Sequence, residues 1–288
     1  MSFGKNIRTF FEGQWHEGDI PVMRAADHGI WQGSSVFDGA RLFDGLAPDL
    51  EAHCARTNRS AEALMITPTV APEEMVAIAR EGLRKYAPGA AVYVRPMYWA
   101  LNGSDLGVAP AMGATGFALC LEEVPMPDPE VATTLTTTSF RRPVLADNVC
   151  NAKAGCLYPN NARMLVEANR KGFGNALVQD AMGNVAETAT ANVWMVKDGE
   201  YFTPVANGTF LAGLTRKRHM GLLRDAGYVV HEAVLTLDDF RSADEVFLTG
   251  NFAKVTPAAG FEDVKYAHGP FTKKARALYM DWALSRPL

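Results

Sequence analysis

Lys153 stands between small residues in the run NAKAGCLYPN, residues 151–160, just ahead of a predicted helix. A lysine amine that does chemistry must be partly deprotonated, and burial beside other cations favours that form. Glu187 lies in GNVAETATANVW, residues 183–194, between apolar strand positions. Arg56 sits in HCART on a predicted helix, and Gly213-Leu214-Thr215-Arg216 opens another. Backbone N–H groups at such a helix start are a ready anion site. Thr249-Gly250-Asn251 closes a strand. Taken singly, each has a plain reading: a surface lysine, a strand-end acid, a solvated arginine, a capped helix and a turn.

Taken together they share one explanation. A lysine for an imine, an acid for a ring nitrogen, and an arginine with helix-start amides for a phosphate are what pyridoxal 5′-phosphate (PLP) requires. That chemistry needs no metal. Cys54, Cys120, Cys150 and Cys156 contain no CxxC spacing, so a zinc ribbon and a disulfide framework are not expected.

Seven stretches then carry a resemblance. They are HGIWQGSSVFDGARLFDG (28–45), HCARTNRSA (53–61), YVRPMYWA (93–100), FRRPVLADNVCNAKAGCLYPNNARMLVEA (140–168), GNVAETATANVWMV (183–196), LAGLTR (211–216) and ADEVFLTGNFAKVTP (243–257). In this order, over nearly the whole chain, they resemble the class IV aminotransferases (PLP fold type IV), and most of all the branched-chain amino-acid aminotransferases. The resemblance implies that Lys153 forms the internal aldimine and Tyr158 hydrogen-bonds the ring oxygen. It implies that Glu187 faces the pyridine nitrogen. Arg56 and the backbone of Leu214 and Thr215 would hold the phosphate, with Gly250 and Asn251 beside them. Asn251 stands where the family usually has Thr; its side chain can still donate.

The same resemblance assigns a substrate pocket. Phe37 would be an aromatic wall. Tyr93 and Arg95 match the pair typical of branched-chain enzymes, where the arginine receives the distal carboxylate of glutamate; its fork suits a carboxylate. Gly107 and Val108 fit a loop that reaches the neighbouring subunit's pocket, which implies a homodimer with shared active sites and leaves room for higher assembly. Gln32 departs from the pattern, because the family usually carries Tyr or Phe there. The expected reaction exchanges an amino group between a branched-chain or hydrophobic L-amino acid and 2-oxoglutarate, in two half-reactions. Gln32 keeps an alternative alive, an (R)-selective amine or D-amino-acid transaminase; a PLP lyase acting on aminodeoxychorismate is a further one.

The elements that must position these residues are legible in outline. The chain has 288 residues with 48% hydrophobic and 21% charged, an ordinary globular composition that excludes disorder, collagen and a coiled-coil rod. A net charge of −4 argues against a broad nucleic-acid footprint. No apolar run suits a membrane span, and MSFGKNIRTFFEGQW lacks a leader's apolar region, so a cytoplasmic setting is expected. The pattern predicts a hairpin at Glu12-Gly13, a strand over 34–37, helices over 49–65 and 72–87, and strands over 91–100 and 115–124. It continues with a strand over 131–140, a helix over 159–171 and a strand over 175–182. A turn at Met182-Gly183-Asn184 leads to a strand near 190–197. A helix over 215–226, strands near 228–235 and 245–250 and a helix over 270–285 follow. This is α+β (mixed α/β), not a doubly wound sheet, and no GxGxxG follows a strand. The resemblance adds the two-domain, D-amino-acid aminotransferase-like fold with the cofactor between domains. VPMPDPE supplies the boundary: a smaller domain over 1–124, a linker over 125–130 and a larger PLP-binding domain over 131–288.

Overall fold

The computed structural model describes residues 4–288. Met1–Phe3, where the stretch read for a leader begins, lie outside the described residues. The chain divides into two compact units. The first holds the residues up to Met126 together with Ala152–Cys156 and Ala283–Leu288. The second holds Pro127–Asn151 and Leu157–Trp282.

The first unit is built on β1 (Lys5–Phe11), β2 (Gln14–Glu17), α1 (His28–Trp31), β3 (Ser35–Phe37), β4 (Ala40–Leu42), α2 (Leu50–Ala63), α3 (Pro72–Leu83), β5 (Val92–Ala100) and β6 (Thr115–Glu123). Its sheet runs β2-β1-β6-β5-β3, with β4 also on β5, and every pairing is antiparallel. Alternation along β5 decides its two faces. Val92, Val94 and Pro96 are buried, while Tyr93, Arg95 and Met97 are half-buried. Helices α2 and α3 pack on β5. They bring Leu50, Cys54, Ala61, Met75, Ala79 and Leu83 into the core. The edge formed by β3 and β4 breaks at Asp38–Gly39, opposite Arg95–Pro96, and a proline has no amide to give a ladder. Asp38 N bonds Pro96 O across the break at 3.0 Å.

The second unit carries β7 (Thr133–Arg141), α4 (Tyr158–Arg170), β8 (Asn175–Gln179), β9 (Val185–Thr188), β10 (Asn192–Lys197), β11 (Glu200–Pro204), α5 (Leu214–Asp225), β12 (Val230–Ala233), α6 (Leu237–Arg241), β13 (Glu245–Gly250), β14 (Lys254–Phe261), β15 (Val264–Lys265) and α7 (Pro270–Ala283). Its mixed sheet runs β12-β11-β10-β13-β14-β7-β8-β9, with β15 on β14. Val193, Met195, Val246, Leu248, Ala258 and Phe261 form one core cluster, and Trp194, Val196, Tyr201 and Phe247 belong to another. The two clusters take alternate residues of the same strands, as a sheet covered on both faces requires.

Three differences from the sequence reading have physical reasons. The strand after the 182–184 turn is β9, not one strand near 190–197. Asp180 Oδ1 accepts from Met182 N and Asn184 N, and Gly183 takes φ +92°, so β8 folds straight back onto β9. Strands β11 and β14 were not anticipated; Pro204, Pro257 and the small residues Ala258–Gly260 blur their alternation. Lys153 was expected in the domain over 131–288, yet Ala152–Cys156 belongs to the first unit. That short segment lies on β3, through a bridge of Ala154 with Val36 and a 3.1 Å bond from Phe37 N to Lys153 O. The last residues, Ala283–Leu288, also join the first unit: Arg286 O accepts from Ala47 N at 2.9 Å.

Candidate active site

The small residues around Lys153 serve the backbone. Ala152 and Ala154 are buried, and a Cβ on Gly155 would come within 2.7 Å of Ser35 Oγ. Only a narrow chain lies this close to β3. The small residues seat the segment against β3. Lys153 N donates to the buried Ser60 Oγ at 3.0 Å. With Lys153 O held by Phe37 N, both backbone polar groups are fixed. The ammonium then lies 4.8 Å from the centroid of the Phe37 ring.

Arg56 is held by a residue that the sequence reading passed over. Asp38 is fully buried and accepts from Arg56 Nε at 2.6 Å and Nη2 at 2.8 Å. It also meets His53 Nδ1 at 2.7 Å, and His53 and Arg56 stand three apart on one face of α2. Burial pushes the Asp38 carboxyl up, but the charges of Arg56 and His53 outweigh it and hold the group well below the usual carboxylate range. The two-pronged pair fixes the guanidinium plane.

Phe37, Tyr93 and Arg95 share one face of the first sheet. Directly opposed residues point to the same side, and the register sets Phe37 against Met97, Arg41 and Glu122 on either side of Tyr93, and Arg95 against Cys120. Arg95 Nη1 pairs with Glu122 Oε1, and its guanidinium carbon lies 5.2 Å from the Tyr93 ring centroid. Glu122 is buried, whereas the Arg95 side chain keeps 28% of its exposure. Arg41 is buried too and donates to Val124 O at 2.6 Å; burial lowers its pKa to about 10, with Tyr93 acting in the opposite sense. Gly39 has no room for a side chain, because a Cβ would lie 2.0 Å from the Tyr93 hydroxyl.

Gln32 is exposed at the C-cap of α1. Gly107 and Val108 lie in a loop closed by a bridge between Gly103 and Pro110, where Gly107 takes φ +75°. Leu106 and Val108 there are strongly exposed.

In the second unit, Glu187 is held from two sides. Arg142 Nη2 lies 3.2 Å from its Oε1, and Asn192 Nδ2 donates to its Oε2 at 3.1 Å. Asn192 also reaches the start of α5: its Nδ2 donates to Leu211 O and its Oδ1 accepts from Gly213 N, both at 3.1 Å. Leu214 and Thr215 follow at the first turn, where backbone N–H groups have no partner inside the helix. No acidic residue occupies that turn. On the neighbouring strand Asn192 opposes Thr249, which precedes Gly250 and Asn251. Thus one asparagine side chain ties Glu187 to the α5 start, and its strand register sets both beside the turn at Asn251.

Asn251 Nδ2 is buried and has no hydrogen-bond partner among the described residues. Its Oδ1 accepts from Lys254 Nζ at 2.7 Å. A buried donor without an acceptor is costly. Set near the α5 N-terminus, it suits an anion with several oxygens. An acid flanked by donors together with a cradle of donors for an anion fits a group that carries a basic ring nitrogen and a phosphate. Tyr158 begins α4, behind Leu157 and ahead of Pro159. Among the described residues no three His, Cys, Asp or Glu side chains cluster as a metal site would need.

Sequence reasoning missed Asp38, Glu122, Arg142, Asn192 and Lys254. Two left a signal. His53 and Arg56 at helical spacing call for a buried acid, and Glu122 directly follows the largely apolar run of residues 115–121.

The chain matches the family model for amino-transferase class IV over residues 35–261. The branched-chain-amino-acid aminotransferase of Escherichia coli (strain K12) is 27% identical over 299 aligned residues, covering 97% of this chain and 94% of that one. The crystal structure of an aminotransferase from Brucella abortus, bound to the co-factor PLP, superposes with a TM-score of 0.96 at 57% identity. It covers 97% of this chain and 100% of that one. The crystal structure of the Escherichia coli branched-chain amino acid aminotransferase superposes with a TM-score of 0.88 at 26% identity, over 96% of this chain and 94% of that one.

Proposed function

We propose that this chain, which belongs to the class IV aminotransferase family, moves an amino group from a branched-chain or other hydrophobic L-amino acid to 2-oxoglutarate with PLP as cofactor. The observation that carries this reading is the sheet face where Phe37, Tyr93 and Arg95 stand together. Two half-reactions in one pocket need an apolar wall for one side chain and a guanidinium for the other. The likeness to branched-chain enzymes over nearly the full length supports the same substrate class.

Bound PLP supplies an aldehyde for amines and a ring that accepts electrons from the substrate carbon. The chain's own residues do the rest. Lys153 Nζ supplies the amine and then takes and returns the α-proton as base and acid. Glu187, kept in place by Arg142 and Asn192, accepts a hydrogen bond from the protonated ring nitrogen. In the second unit the Leu214 and Thr215 amides and Asn251 Nδ2, beside Gly250, would bind phosphate oxygens, and the resemblance to the family adds Arg56 to that role. Tyr158 donates to the ring oxygen. Arg95 takes the distal carboxylate of the dicarboxylic partner, and Phe37 borders the apolar side chain. The exposed Leu106 and Val108, beside Gly107, support a homodimer in which this loop serves the partner's pocket. The cysteine spacing supports a cytoplasmic setting, and among the described residues no helix is long and apolar enough to cross a membrane.

The test is a panel of single half-reactions on the PLP-loaded protein, followed by visible absorbance. L-leucine and L-valine should bleach the cofactor band, and 2-oxoglutarate should restore it. Bleaching by D-alanine or (R)-1-phenylethylamine alone would instead favour the second reading, an (R)-selective amine or D-amino-acid transaminase, which the exposed amide of Gln32 in place of an aromatic ring keeps in play.

A further inference from the structure

The sheet face that bears Arg95 carries two guanidinium groups, Arg41 and Arg95, and one buried carboxylate, Glu122. Glu122 stands opposite Tyr93 and diagonal to Arg95, and it is paired with Arg95 Nη1. Burying an acid is unfavourable unless it is paired, so this one has a steady claim on the arginine. Arg95 is the more accessible partner of the two. Its flat guanidinium lies near the Tyr93 ring, which can support it in more than one pairing.

We propose that Glu122 is the specificity-determining residue of this pocket, an internal counter-carboxylate that Arg95 releases or shares when the substrate brings its own. The inference rests on Arg95 being the acceptor of the distal carboxylate, as in the proposed function. A pocket with a bare guanidinium would bind the dicarboxylic partner tightly and repel an apolar side chain, which cannot pair with it. With Glu122 in place, an apolar side chain meets a neutralised pair. The dicarboxylic substrate must compete with a fixed acid for the same donors. Glu122 therefore narrows the gap between the two affinities, which a two-stroke reaction on one site requires.

The experiment uses the PLP-loaded protein and two unreactive acids, 4-methylvalerate for the apolar stroke and glutarate for the dicarboxylic one. Their dissociation constants come from the shift of the visible band. KM and kcat for L-leucine and L-glutamate are measured alongside. In Glu122→Gln, glutarate and L-glutamate should bind about five- to tenfold tighter and 4-methylvalerate and L-leucine weaker by a similar factor, the scale of a partly buried charge pair. The change should appear in KM more than in kcat. Glu122→Asp keeps the charge and should restore most of the wild-type ratio, which a purely structural role would not explain. Equal shifts for both acids, or none, would overturn the proposal. A wild-type protein that handles neither L-leucine nor L-glutamate would instead sink the substrate reading beneath it. If Glu122→Gln does not fold, Glu122→Met, which also removes the charge, takes its place: opposite shifts for the two acids uphold the proposal, and equal shifts or none refute it.

Discussion

Lys254 Nζ donates to Asn251 Oδ1 at 2.7 Å, and this bond determines which end of the Asn251 amide faces away. An ammonium has donors only, so the carbonyl oxygen must turn toward it and Nδ2 must point elsewhere. Lys254 is buried and takes φ +67°, so it has little freedom to offer a different geometry. Asn251 thus presents a donor through the help of a lysine three positions on.

Lys254→Met should therefore weaken PLP binding while leaving the apo protein folded. The amide could then flip and present its oxygen to a phosphate. We expect the dissociation constant of PLP, titrated into apo protein by absorbance, to rise about tenfold, near the 1.5 kcal/mol of a hydrogen bond to a charged group. An unchanged constant would show that Asn251 does not need Lys254 for its orientation.

Asp38→Asn should destabilise the protein strongly at neutral pH. It leaves Arg56 and His53 without their shared buried carboxylate, a loss of about 3–5 kcal/mol for broken buried pairs. Because the folded pKa of Asp38 is depressed, its contribution is complete above the unfolded value of about 3.9 and is lost as pH falls below it. Urea unfolding at pH 7, 5 and 3.5 should show the gap between wild type and variant closing only in the most acidic series.

Gly39→Ala puts a methyl group where the Tyr93 hydroxyl now lies, 2.0 Å from the ideal Cβ. Tyr93 must move, and Arg95 loses the ring beside it. Overpacking of this kind is worth about 1–3 kcal/mol. Thermal melts should register that loss, and KM for the amino donor should rise.

Removing both charges, Arg95→Gln with Glu122→Gln, should keep the apolar half-reaction and lose the dicarboxylic one. L-leucine should still bleach the cofactor. Recovery by 2-oxoglutarate should slow by about a hundredfold, near 2.7 kcal/mol for charge-assisted bonds lost without a buried charge left behind. Fast recovery in the double variant would remove Arg95 from its role.

The regular elements are largely legible in the amino-acid pattern. Helices α2, α3, α4, α5 and α7 and strands β5, β6 and β13 fall within a few residues of their predicted bounds, because the helices carry a period of 3.6 and the strands are short apolar runs, alternating in β5, bounded by turn residues. Strand β14 was not legible: Pro257, Ala258, Ala259 and Gly260 erase the alternation, and its strand character comes from β13 and β7 on either side. The grouping of Ala152–Cys156 with the first unit was not legible for a related reason. That segment belongs with β3 because Ala152, Ala154 and Gly155 lie close to that strand, a contact across more than a hundred residues of chain.

By itself the sequence determined most element types and named a candidate set of chemical groups, Lys153, Glu187, Arg56, Tyr158 and Arg95, because local patterns and ordered motifs persist in one dimension. Tertiary structure alone decided how those groups are held. Asp38 grips Arg56, Asn192 joins Glu187 to the start of α5, Lys254 turns Asn251, and Glu122 occupies Arg95. Most of these partners are far apart in sequence and meet through strand register and burial. Pairing of buried polar groups is enforced by desolvation in the folded state. No residue's own neighbours along the chain encode that requirement.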